Sequence, residues 1–183
     1  MELNILDWFQ TLHTPILDKI MTSITKLGDA GIFWIILTLL FLIIPKMRKT
    51  GIIMAAALIM DLLICNVAVK NLAARTRPYE VNTSVQLLVA KLHDYSFPSG
   101  HTAASFASVT ALYLAGEKKL WKPALVLACL IAVSRLYLYV HYPTDVLGGM
   151  IFGILAGFAG YLIVKLLETK LSGRKNAGNQ IRR

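Results

Sequence analysis

The sequence predicts an all-α, integral-membrane helical bundle of five to six spans with an amphipathic N-terminal segment. Three observations carry that expectation. Hydrophobic residues fill 56% of the 183 positions and mean hydropathy is +0.62, so a bilayer suits this chain better than water. The apolar residues come in long runs rather than alternating. The charges gather between those runs, with nineteen Lys and Arg against ten Asp and Glu and a formal net charge of +9. In a soluble chain that excess would point to nucleic acid. Confined to the ends of apolar runs it reports topology instead, and no nucleic-acid partner is expected. The length fits one domain over residues 1–183.

Residues 3–26 read as one or two amphipathic helices, broken near Thr14-Pro15, with Leu6, Phe9, Ile16, Leu17 and Ile20 on the apolar face. Segment 1–28 fits an interfacial position, or else a poor first span. It lacks the basic start and short apolar run of a cleaved leader, and is expected to stay on the chain. Five spans follow: about Ala30–Ile44, Gly51–Val69, Thr102–Ala115, Leu120–Tyr139 and Val146–Leu167. The first and third are short for a hydrocarbon core that takes about 20 residues. The third is rich in Ala and Ser, which suits a helix packed centrally. Gly149, Gly153 and Gly157 recur at steps of four in the fifth span and permit close approach of another helix. That helix is either one of this chain or that of a partner in a homodimer. Residues 168–183 form a basic tail.

Charge sets the orientation. Lys46, Arg48 and Lys49, then Lys118, Lys119 and Lys122, then the C-terminal cations fall on one side of a five-span arrangement. The positive-inside rule makes that side cytoplasmic, in a multi-pass protein of the plasma membrane. The opposite, extracytoplasmic side receives three stretches: Lys70–Pro78 (KNLAARTRP), Pro98–His101 (PSGH) and Ser134–Asp145 (SRLYLYVHYPTD).

These stretches hold the parts for phosphate chemistry. Lys70, Arg77 and Arg135 supply cations at the ends of spans, where snorkelling to headgroups is the ordinary use. Converging with histidines, they suit phosphate oxygens and the charge of a pentavalent transition state. Ser99 and Gly100 open a helix whose backbone N–H groups can face an anion, although Ser99 also reads as a simple N-cap. Asp145 lies four residues past His141 and can orient one imidazole nitrogen while the other attacks. Its alternative use is to cap the helix that Pro143 opens. His101 is the second histidine, available to protonate a leaving alkoxide. A zinc site is the rival use of the histidines, but no H-x-x-x-H pair or Cys cluster is present, and Cys65 and Cys129 read as small apolar residues. No metal and no cofactor are expected. Asp61 stands near the middle of the second span, where a carboxylate is costly. Glu80 and Asp94 lie in a loop (residues 79–97) over the stretches.

In this order, K-x6-R-P, P-S-G-H and S-R-x5-H-x3-D resemble the signature of the type 2 phosphatidic acid phosphatase superfamily, over about Lys70 to Asp145. The resemblance implies that Lys70, Arg77 and Arg135 bind phosphate with help from Ser99 and Gly100. By the same resemblance His101 is the acid, His141 the nucleophile and Asp145 its orienter, without a metal. Many members have six spans, and this N-terminus does not supply a convincing sixth. The implied function is hydrolysis of a lipid phosphate or diphosphate through a phosphohistidine. Undecaprenyl diphosphate, phosphatidylglycerophosphate and phosphatidic acid are the candidate substrates. The reading from another class is a non-catalytic transporter or channel subunit that binds anionic lipid headgroups.

Overall fold

Helices α1 (Glu2–Gln10) and α2 (Pro15–Gly28) form the amphipathic N-terminal segment in the computed structural model, which describes residues 1–181. The break falls at the expected place. Pro15 fixes the first turn of α2, and the Thr14 hydroxyl accepts from Leu17 N at 3.3 Å. A 3₁₀ turn (Asp29–Gly31) redirects the chain through two left-handed residues, Ala30 (φ 49°) and Gly31 (φ 67°), into α3 (Ile32–Ile43). Pro45 stops α3, and α4 (Arg48–Asp61) begins just beyond it.

Helix α4 does not end at Asp61. The chain loosens into a π-helical stretch (Leu62–Val69) and runs on as α5 (Lys70–Ala73), ending at Ala74 in the left-handed region. Lys70 therefore sits inside a longer helical run than expected, three residues from its end. A short α6 (Pro78–Val81) follows, then a loop, then α7 (Gly100–Leu114), α8 (Trp121–Tyr137) and α9 (Pro143–Ile181). No strand occurs among the described residues.

Helix α7 is the centre, as its small residues predicted. Every residue from Thr102 to Leu112 is buried, with α4, α8 and α9 packed around it. The Trp34 indole of α3 donates to Ser105 Oγ at 2.9 Å, fixing α3 on the same helix. The glycines of α9 serve this packing. A Cβ on Gly149 or Gly153 would meet the backbone of α7, and one on Gly160 would meet Ala57 of α4. The glycine stripe is thus used within the chain, and a homodimer face on it has no support from this packing.

The chain passes between two ends of the bundle. At one end Lys49 pairs with Glu168 at 2.7 Å and the Thr50 hydroxyl donates to Glu117 at 2.6 Å, so the cation-bearing turns lie together. At the other end lie the three stretches, with α1 and the start of α2 fastened over them. Tyr139 donates to Asp7 and Tyr137 to Asp18, while Arg75 reaches Glu2. Between the ends the outer surface is apolar: Ile36, Leu39, Leu63, Ile151 and Leu155 are all exposed. That surface fits a bilayer solvent.

Three helical runs are long and apolar enough to cross a membrane: Pro15–Ile43, Pro45–Val81 and Pro143–Ser172. The first takes α2 and α3 together across the left-handed turn at Ala30 and Gly31, where the sequence reading also divides the amphipathic segment from the first span. Helices α7 and α8, at 15 and 17 residues, match the expected third and fourth spans but are shorter than a full crossing. Arg182 and Arg183, at the end of the basic tail, lie outside the described residues.

Candidate active site

Each element delivers one piece of the site. Lys70 opens α5 as the π-helical stretch ends. Arg77 caps α6, with Glu80 Oε2 accepting from its backbone N–H at 3.0 Å. Ser99, Gly100 and His101 start α7, Arg135 sits near the end of α8, and His141 lies in the turn before α9. Asp145 is the third residue of α9. The start of α7 is tied to α9 directly, since Ser99 N donates to Asp145 O at 3.0 Å.

Lys70, Arg77, Gly100, His101 and His141 line one cavity of about 850 Å³. Arg77, almost fully buried, places Nη1 3.3 Å from His141 Nε2 and donates to Val140 O at 2.8 Å. A Cβ on Gly100 would lie 3.0 Å from Asn66 Oδ1 and 3.9 Å from Lys70 Nζ, so the backbone at the start of α7 comes close to both side chains. Away from the cations the cavity becomes an apolar groove between α3 (Ile35, Leu39, Leu42) and α4 (Leu58, Ile59) with Leu62 just beyond it. Asp61 lies on this groove, buried, with one carboxylate oxygen lacking a partner.

His141 is buried with Nε2 toward the cations and Nδ1 3.5 Å from Asp145 Oδ2. That is an ion-pair distance without hydrogen-bond alignment, and Nδ1 has no hydrogen-bond partner. Burial pushes the imidazole down to about 3 against the pull of Asp145, with Arg135 and Arg77 adding to the depression. The neutral form of the ring is thereby favoured. Of the two uses the sequence left open, the hydrogen bonds show the helix cap. Asp145 faces His141, and its Oδ2 accepts from Tyr142 N at 2.8 Å as a cap at the start of α9.

Ser99 is fully buried, and its hydroxyl accepts from Thr102 N at 3.5 Å and from the Thr102 hydroxyl at 3.0 Å, so here it serves as the N-cap. Arg135 does not line the cavity. It lies buried behind it, with Nη1 donating to Thr25 Oγ1 and Nε without a partner. The structure thus gathers Lys70, Arg77, Gly100, His101 and His141 at one surface, and sets Ser99, Arg135 and Asp145 behind it.

Sequence reasoning missed Arg75, Ser96 and Asp29, and placed Asp94 over the site without a role. Arg75 donates to Asp145 Oδ1 at 2.7 Å and to Glu2 at 2.6 Å, and stacks on Tyr142 at 3.9 Å. Ser96 donates to the other oxygen of Asp145. Asp94 bridges Lys70 Nζ and Arg77 Nη2, the latter at 2.6 Å. Asp29 lies 2.8 Å from His101 Nε2. Arg75 had a signal, as a third cation within KNLAARTRP. The other three are far in sequence from the groups they touch.

Residues 50–168 match the sequence model of the PAP2 superfamily. The chain belongs to the PAP2 superfamily. An undecaprenyl-diphosphatase of Sulfolobus acidocaldarius is 32% identical over 153 residues, covering 84% of this chain and 72% of that protein. Phosphatidylglycerophosphatase B of Bacillus subtilis is 32% identical over 174 residues, covering 87% and 79%. Among solved structures, Aquifex aeolicus LpxE superposes with a TM-score of 0.75 at 28% identity, covering 87% of this chain and 93% of that one. This PAP2 protein is accordingly a membrane protein and a hydrolase of the phosphatase class, and the reading as a non-catalytic transporter subunit falls away.

Proposed function

We propose that this chain hydrolyses a lipid phosphate or diphosphate at the extracytoplasmic face of the plasma membrane, with undecaprenyl diphosphate, phosphatidylglycerophosphate and phosphatidic acid as candidates. One observation carries the reading: two histidines and two cations share a cavity that opens into an apolar groove between α3 and α4. A lipid tail can occupy the groove, in the bilayer, while its phosphate sits between Lys70 and Arg77. The relatives named above, which act on undecaprenyl diphosphate and phosphatidylglycerophosphate by name, support that choice of substrate.

In the proposed reaction His141 Nε2 attacks phosphorus and the bond to the leaving oxygen breaks, with His101 giving that oxygen its proton. For a diphosphate the terminal phosphoryl group moves and the lipid monophosphate leaves. Water then attacks the phosphohistidine, its proton passes to His101, and the P–N bond breaks to release orthophosphate. Asp145 stabilises the charged His141 ring, while Lys70, Arg77 and Arg135 balance the charge on the transferring group. Five passes through the membrane, by α3, α4–α5, α7, α8 and α9, put the C-terminus in the cytoplasm.

Purified protein assayed with EDTA against lipid mono- and diphosphates tests this. The native chain turns over and His141→Ala does not, while both bind lipid. Equal turnover by the variant, or activity that requires an added divalent metal, would sink the histidine route.

A further inference from the structure

We infer that Asp29 is a positioning residue for His101, holding the proton that His101 delivers to the leaving group. The inference rests on the proposed role of His101 as general acid. Asp29 Oδ1 lies 2.8 Å from His101 Nε2, joining the 3₁₀ turn after α2 to the start of α7 across 72 residues of sequence.

The backbone of that turn is shaped around the contact. Gly28 lies against the imidazole so closely that a Cβ would come within 2.7 Å of His101 Cδ2. The next residue is Asp29. Ala30 then adopts φ 49°, a left-handed conformation that residues with a Cβ avoid, and Gly31 adopts φ 67°. Three consecutive features thus bring one carboxylate to one imidazole. Asp29 is itself largely exposed, so burial does not explain why the chain takes this path.

The electrostatics supply the reason. The charges of Lys70 on α5 and of Arg135, buried behind the cavity on α8, act on His101, while Arg77, His141 and Asp94 line the same cavity. Burial disfavours a protonated imidazole here first, and the charges of Arg135 and Lys70 add to it. Asp94 is already bound to Lys70 and Arg77. Asp29 is the carboxylate in direct contact with His101, and its charge opposes both burial and the cations. Without it, burial and these charges act on the imidazole unopposed.

A merely structural Asp29 would affect all substrates alike, whereas a proton-holding one acts only where the leaving group needs a proton. The test compares kcat/KM for an alkyl lipid phosphate with that for 4-nitrophenyl phosphate, whose phenolate departs unprotonated. Asp29→Asn, with Asp29→Ser as a second variant, lowers the alkyl value by about 10- to 100-fold, the range for an outer partner of a catalytic group. It lowers the aryl value by less than about threefold, and the basic limb of the alkyl pH profile moves down by about one unit. Equal losses on both esters, unchanged rates, or an unmoved limb would overturn the inference. His101→Asn runs beside it. If that variant shows no leaving-group selectivity, the assignment of His101 fails. If it is selective and the Asp29 variants are not, Asp29 alone fails.

Discussion

At the scale of single residues, Asp94 defines the resting site. Its two oxygens contact Lys70 and Arg77, so on the proposed function an incoming phosphate has to displace it. Replacing Asp94 with Asn weakens that competitor and lowers the inhibition constant of inorganic phosphate about tenfold, the equivalent of one charged hydrogen bond of roughly 1.5 kcal/mol. An unchanged constant would mean that Asp94 does not compete. The contact also has a defined pH range. Burial would raise the Asp94 carboxyl, but the Lys70 hydrogen bond and the charges of Lys70 and Arg77 outweigh it and hold the group at about 2. A carboxylate depressed below its unfolded value of 3.8 contributes its stability fully above that value and loses it as pH falls through about 2. Amide exchange in residues 82–97, corrected for its intrinsic rate, therefore stays constant from about pH 5 to 8.

At the scale of elements, the contact of α7 with α9 keeps His101 and Asp145 on one rigid unit. Its tightest point is Gly153, where a Cβ would lie 2.4 Å from Ala103 O. Gly153→Ala pushes the two helices apart at a cost of about 1–3 kcal/mol, read as a lowered melting temperature in detergent. The sequence made much of this element visible. Glycines at steps of four and a run of Ala and Ser could be read as close packing because small side chains have few other uses in a membrane helix. Their partner could not be read, since a glycine stripe is the same whether the helix beside it belongs to the same chain or another. The motifs behaved similarly. His141 and Asp145 are four residues apart and fix each other's placement locally. Asp29 and Asp94 act through tertiary contacts across 72 and 24 residues, and nothing local marks them. The run to Ala73 was missed for a different reason: the π-helical stretch has no apolar period that tells it from a regular helix.

At the scale of the whole molecule, the site end and the cation end were legible from charge alone, because clustered Lys and Arg between apolar runs leave few arrangements. The sharpness of the turn between α2 and α3 was not, since a left-handed Ala30 is a backbone event that alanine does not announce. The lengths of the helices have a further consequence. Helix α3 has 12 residues, α7 has 15 and α8 has 17, so these passes rise about 18, 22 and 25 Å against a hydrocarbon core of about 30 Å. On the proposed topology the surrounding leaflets have to thin to meet them. Headgroups are then drawn inward at the protein's edge, which shortens the distance a lipid phosphate travels to reach His141. Turnover in vesicles of C14 lipids should exceed that in C22 lipids at equal substrate fraction. Hydrophobic mismatch would then act as part of substrate delivery, and the thickness of the host membrane would become a variable of the enzyme's rate.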